Sequence, residues 1–312
     1  RDLRMSRGLG DVYKRQAQYL LRTWIDLPIY CISASEFRYG NYRVNENTLC
    51  IFVSQSGETA DTLAALKLSK ENKAQTLTVT NVLGSSLARL SDYVLYTCAG
   101  PEIAVASTKA YTTQLVLLAC LCLKLASLFN KDVACKNHMI NQLKQMPDVV
   151  EQMLAQEEKM AEFAKLLTNQ KDAYFIGRQL DYLSVLEGAL KLKEVSYVHA
   201  DAYMAGELKH GPIALIEKDT VVIALATQPS VAQKTISNIL ETVARGAEVI
   251  LIASQSQNTE GFEYVIRIPD VDPLLSCIPA TVLLQELAYY VAKEKGCDVD
   301  KPRNLAKSVT VE

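Results

Sequence analysis

The 312-residue chain predicts an α/β protein of two domains, each a parallel sheet flanked by helices. Short β-branched or aromatic runs alternate with helical stretches, which is how parallel strands joined by crossover helices read in sequence. The alternation occurs twice, on either side of a segment at 136–169 rich in Gln, Met, Lys and Glu. The two series match element by element at a spacing far longer than a solenoid repeat, so a duplicated domain is expected.

Residues 1–16, RDLRMSRGLGDVYKRQ, carry four arginines and a lysine with few apolar positions and no period, and read as a foreign segment outside the fold. The helical pattern AQYLLRTWI then starts without a preceding strand or cap signal. The first domain, 17–135, thus starts as if an upstream element had been cut away. Within it PIYCIS, TLCIFVS, QTLTVTN and YVLYTC have strand length and composition, and ETADTLAALKLSKEN is helical. The apolar run Leu115 to Phe129 is short for a membrane span and contains Lys124, so it predicts a buried helix. Residues 136–169 read as linking helices. The second domain, 170–303, follows with AYFIG, TVVIALAT, AEVILIAS and YVIRIP, and ends in an apolar helix from Pro279 to Lys293. Helix SVAQKTISNILETVARG precedes AEVILIAS as DTLAALKLSKEN precedes QTLTVTN. Residues 304–312 form an apolar, Pro-anchored tail, a composition that favours docking over a cleft.

With 49% hydrophobic and 22% charged residues the chain has material for a sizeable core. Its 33 Lys+Arg against 35 Asp+Glu leave a formal charge of −2, which offers no footprint for nucleic acid or an anionic membrane. An anionic ligand must then be bound locally. Eight cysteines, at 31, 50, 98, 120, 122, 135, 277 and 297, show neither a CxxC pair nor a histidine at metal-ligand spacing. They read as small buried hydrophobes in a reducing cytoplasm, and no metal or cofactor is expected.

Two places concentrate chemistry. Glu187, Lys191 and Glu194 fall at i, i+4 and i+7, on one face of a helix, and Glu207, Lys209, His210, Gly211 and Pro212 follow closely. A solvated Glu–Lys–Glu ladder would have the same spacing, but a histidine before Gly-Pro sits in a constrained turn. The other place is the strand end LCIFV running into Ser54-Gln55-Ser56-Gly57-Glu58-Thr59 ahead of a helix. Backbone N–H groups, the helix dipole and three hydroxyls suit a phosphate there, while the absence of a P-loop lysine argues against a nucleoside triphosphate. A plain capping box has the same residues. Val105-Ala106-Ser107-Thr108-Lys109 is a second hydroxyl cluster that opens a helix.

SQSGETADT, VASTKA, EGALKLKE, GELKHGP and the terminal PRNLAKSVTVE, in this order, resemble the isomerase half of the glutamine–fructose-6-phosphate aminotransferase (glucosamine-6-phosphate synthase) family from Ala17 to Glu312. The resemblance implies two SIS domains, each flavodoxin-like. It implies that Ser54, Gln55, Ser56 and Thr59 hold the sugar phosphate and that Val105 and Ser107 contact the sugar. Glu194 would move the proton between C1 and C2, Lys191 would stabilise the enediolate, and Glu187 would support both. His210, reaching in from the neighbouring subunit of a homodimer, would open the sugar ring. Lys307 would form a Schiff base with the open-chain ketose. Ammonia would come from a glutaminase domain, so glutamine-dependent synthesis is not expected of this chain. The resemblance also implies that the first strand and its Gly-Thr-Ser loop are missing. A non-catalytic sugar-phosphate sensor and a fructosamine-phosphate deglycase remain as alternatives. The sensor would have no use for Glu194, His210 and Lys307, and the deglycase would not need this ending.

Overall fold

The computed structural model describes residues 2–7, 12–129 and 136–307, with side chains from Lys14 onward. By contacts it divides into two compact units, 1–136 with 306–312, and 137–305.

The first unit runs β1 (Asp2–Arg7), α1 (Val12–Trp24), β2 (Ile29–Ser33), α2 (Ala34–Phe37), β3 (Thr48–Val53), α3 (Ala60–Glu71), β4 (Gln75–Thr80), α4 (Ser86–Leu90), β5 (Tyr93–Tyr96) and α5 (Lys109–Leu128). Its sheet is parallel throughout, in the order β2-β1-β3-β4-β5. The second unit runs α6 (Lys136–Leu154), α7 (Glu157–Thr168), β6 (Asp172–Gly177), α8 (Leu180–Ser196), β7 (His199–Met204), β8 (Val221–Ala226), α9 (Ala232–Val243), β9 (Glu248–Ser254), β10 (Tyr264–Ile268) and α10 (Cys277–Glu294). Its sheet is also parallel, in the order β10-β9-β8-β6-β7. Counting strands from the start of each unit, both sheets read 2-1-3-4-5, the flavodoxin-like order. The duplication seen in sequence is thus a duplication of topology.

The central strands are apolar because helices cover both faces. All six residues of β8, Val-Val-Ile-Ala-Leu-Ala, are buried. In the first unit Phe52 of β3, Leu66 of α3, Leu87 of α4 and Phe37 of α2 share one core cluster. Helix α5 is long and apolar enough to cross a membrane by length and composition, yet it packs against α1 and buries Tyr111, Leu115, Leu118 and Leu123. Helices α6 and α7 are present where linking helices were expected, but residues 137–169 cluster with the second unit, where α7 lies against α10.

The expectation of a missing first strand is corrected. Asp2–Arg7 occupies the slot between β2 and β3, pairing Leu3 with Ile29 and Leu49, and Met5 with Cys31 and Ile51. A parallel ladder is built from backbone N–H and C=O groups, so a segment without an apolar period can complete a sheet that would otherwise keep two rows of groups unpaired. The loop after it, residues 8–11, lies outside the described residues. Strand β7 also went unread, because HADAYM is a polar edge strand with a single neighbour, β6. The cysteines divide: Cys50, Cys122 and Cys277 are buried, whereas Cys98 and Cys120 are exposed, and Cys135 lies outside the described residues.

Candidate active site

In the first unit, β3 ends at Val53 and α3 begins at Ala60, which leaves residues 54–59 as the turn at the carboxyl end of a central strand, next to β1. That is where open α/β sheets bind ligands. The Ser54 Oγ accepts from the Gly57 N–H at 3.1 Å and lies 3.0 Å from the Thr59 Oγ1. The Glu58 N–H donates to the Ser56 Oγ at 3.2 Å. Thr59 is the helix N-cap, yet its side chain makes no capping bond. Glu58 turns away and accepts the Ser86 N–H at 2.8 Å, and the Ser86 hydroxyl, this N–H and the nearby Arg89 together hold its carboxyl below the usual range against the cost of burial. The capping-box alternative is therefore not realised, and the hydroxyls are organised around the loop itself.

The loop is buttressed from behind. Gly57 has φ +68°, and a Cβ there would meet the Ser85 Oγ at 2.1 Å, so only glycine fits. The Gln55 carbonyl accepts the Asn81 N–H at 3.1 Å, while the Asn81 side chain donates to the Gly100 carbonyl and accepts from Ala99 N–H and Thr97 Oγ1. Asn81 thus ties the 54–59 turn to the segment leading into Val105 and Ser107, both half-buried just before α5.

Glu102 is a residue that sequence reasoning missed. Its side chain is only 4% exposed, and its Oε1 accepts the Thr108 and Ala110 N–H groups at 2.9 and 3.2 Å, capping α5. Its Oε2 receives the Lys307 Nζ at 2.9 Å, and the Ala104 carbonyl receives the same Nζ at 2.6 Å. Burial works to raise the Glu102 carboxyl, but the bonds from Lys307, Thr108, Ala110 and Ser107 outweigh it and hold the group below the usual range. The only signal in sequence was an acidic side chain six positions ahead of the helix N-cap, Thr108. Lys307 is accordingly docked rather than solvated.

In the second unit α8 brings Glu187, Lys191 and Glu194 together. The Lys191 Nζ sits 2.5 Å from the Glu194 Oε2 and 3.7 Å from the Glu187 Oε1. The ladder is not a solvated face: Glu187 and Lys191 are 2% and 6% exposed, and Glu194 is the open end. Burial pushes the Glu187 carboxyl up to about 7; Lys191 opposes this and Glu194 reinforces it. His210 is not part of this cluster in the chain. It ends a 3-10 turn, Leu208–His210, exposed, with its N–H on the Glu207 carbonyl. Just ahead of the turn, Gly206 leaves room for Arg178, whose Nη2 donates to the Asn238 Oδ1 at 2.7 Å and would lie 2.7 Å from any Cβ at Gly206.

Glu187 carries a pH prediction. Its folded pKa lies above the ordinary 4.5, so between about pH 4.5 and 7 the native state keeps a proton that the unfolded chain releases, and stability falls as pH rises. Each pH unit in that window is worth up to about 1.4 kcal/mol. Relative to Glu187→Gln, the chain should lose thermal stability between pH 5 and 7.5. A melting-temperature difference that stays constant over this range would contradict the buried, proton-holding state.

The model of the SIS domain family matches residues 15–124 and 166–288. A glutamine–fructose-6-phosphate aminotransferase [isomerizing] of Caldanaerobacter subterraneus is 52% identical over 298 residues, 95% of this chain and 49% of that protein. The chain thus spans about half the length of the curated relatives it matches. The solved C-terminal domain of glucosamine-fructose-6-phosphate aminotransferase from Francisella tularensis superposes with a TM-score of 0.91 at 37% identity, covering 96% of this chain and 86% of that one. A Thermotoga maritima glucosamine-6-phosphate deaminase, TM-score 0.80 at 24% identity over 99% of this chain and 90% of that one, shares the fold. With its two SIS domains, each of 2-1-3-4-5 order, the chain belongs to the SIS family and, within it, to the C-terminal isomerase half of the glutamine–fructose-6-phosphate aminotransferases.

Proposed function

We propose that this chain carries the sugar chemistry of glucosamine-6-phosphate synthesis: it binds fructose-6-phosphate, opens it, holds it as an imine and isomerises it, with ammonia supplied in a full-length enzyme from glutamine. The docking of Lys307 onto Glu102 and Ala104 carries this reading, because a sensor has no use for a lysine fixed beside the 105–107 segment. In this reading the hydroxyls of Ser54, Ser56 and Thr59, with Gln55, take the phosphate, and Val105 and Ser107 border the sugar. Lys307 adds to C2 as the amine nucleophile. Glu194, the open end of the α8 cluster, takes the proton at one carbon and returns it at the next. Lys191, held between Glu194 and Glu187, faces the developing oxyanion, and Glu187 keeps Lys191 in place. His210, exposed at its turn, serves ring opening across a homodimer interface. The setting is cytoplasmic and the product feeds amino-sugar nucleotide formation, including UDP-N-acetylglucosamine.

The loop assignment has a direct test. Replacing Ser56 and Thr59 together by alanine should weaken fructose-6-phosphate binding by about 0.5–1.5 kcal/mol per lost donor, with the melting temperature nearly unchanged. Unaltered affinity by calorimetry in the folded double variant would leave the turn without a role in binding. Product analysis with fructose-6-phosphate and ammonia separates the alternatives, since a sensor forms no product.

A further inference from the structure

Helix α8 ends on a residue that its backbone conformation disfavours. Tyr197, the C-cap, is left-handed at φ 61° and ψ 17°, a conformation that suits glycine or asparagine and that a bulky side chain enters at a cost. An outlier kept on a large residue points to work done by its side chain. The Tyr197 ring lies against the Arg303 guanidinium, with Cζ 4.1 Å from the ring centroid, and the Tyr197 hydroxyl accepts the Arg303 N–H at 2.8 Å. Arg303 precedes Lys307 by four residues, and Tyr197 follows Glu194 by three. The segment that carries the amine is therefore tied to the end of the helix that carries Glu187, Lys191 and Glu194. Further upstream, the Asp298 Oδ1 accepts the Asp300 and Lys301 N–H groups at 3.1 and 3.0 Å in an exposed turn. We infer that Tyr197 is a positioning residue for the tail: it clamps Arg303, so that the Lys307 amine is delivered on a tether of four residues rather than from the end of α10.

The inference rests on the Schiff-base reading for its purpose, while the clamp itself stands on the contacts of Tyr197. Tyr197 touches no reacting atom; it acts through Arg303, by shortening the free chain that leads to the amine. Glycine separates the clamp from the cap. Tyr197→Gly removes the ring and the hydroxyl but suits the left-handed backbone, so the end of α8 is kept. Tyr197→Phe keeps the ring over the guanidinium and removes only the acceptor. Tyr197→Asn, also at ease in the left-handed region, stands in should the glycine variant not fold.

Limited trypsin digestion reads the clamp, since the bond after Arg303 can be cut only when its side chain leaves the Tyr197 ring. Nicking there, relative to the bond after the exposed Arg245, should rise at least about fivefold in Tyr197→Gly, the population shift expected on losing a cation–π contact and a hydrogen bond, and by less in Tyr197→Phe. Quenching with borohydride at timed intervals in saturating fructose-6-phosphate reads the positioning. The Lys307 adduct, located by mass spectrometry, should form about two- to sixfold more slowly in Tyr197→Gly. That range is the −3/2-power dilution of a tethered group as its tether grows from four residues to about six, where the Asp298 turn still holds Lys301, or to about thirteen, back to the end of α10. Nicking at the parent rate in the folded glycine variant overturns the clamp and hands the tail to the buried Pro302. Faster nicking with an undiminished adduct rate overturns the positioning role. No adduct in the parent chain removes the Schiff base, and faster nicking in the variant then upholds the clamp alone.

Discussion

Glu194→Gln lowers the conversion of fructose-6-phosphate to glucose-6-phosphate by at least about a hundredfold, the lower end of what a positioned general base contributes. The substitution preserves shape and one acceptor oxygen, so it separates loss of the base from loss of packing. Glu194 is chosen over Glu187 on position. Glu187 lies at the closed end of the cluster, whereas the Glu194 side chain is 21% exposed and holds the Lys191 Nζ at 2.5 Å. Sugar affinity should change little, because the phosphate is assigned to the 54–59 turn, and an equal fall in kcat and kcat/KM is the expected signature. Near-normal turnover would move the proton transfer to another group, with Glu187 the first to test.

Much of this was legible in sequence, for identifiable reasons. The strands of the two series were readable because central parallel strands are apolar along their whole length, as Val221 to Ala226 shows. The α8 cluster was readable as a face from its spacing alone, but not its burial: the same i, i+4, i+7 pattern fits a solvated ladder, and only the packing of α8 against α10 and the sheet decides. The loop at 54–59 was readable as a turn, while its difference from a capping box depended on Glu58 reaching Ser86, twenty-eight residues on. Asp2–Arg7 and His199–Met204 were illegible because sheet pairing at those positions rests on backbone groups rather than on a side-chain period. Glu102 was illegible for a different reason. Its partner is 205 residues away, and no local pattern announces such a contact.

The central claim, that this chain performs sugar chemistry rather than only binding a sugar phosphate, stands or falls with Lys307. Its amine is brought to the Glu102 carboxylate and the Ala104 carbonyl, and an imine with an open-chain ketose would be fixed irreversibly by borohydride. Lys307→Arg should abolish the adduct, since arginine keeps the positive charge but cannot act as the amine nucleophile; simple attraction would survive the change. The decisive measurement is mass spectrometry of a tryptic digest after borohydride reduction in the presence of fructose-6-phosphate. The account predicts a single hexose-phosphate adduct at Lys307, absent from Lys307→Arg. Adducts scattered over surface lysines, or none at all in folded protein that binds the sugar by calorimetry, would contradict it and leave a binding module.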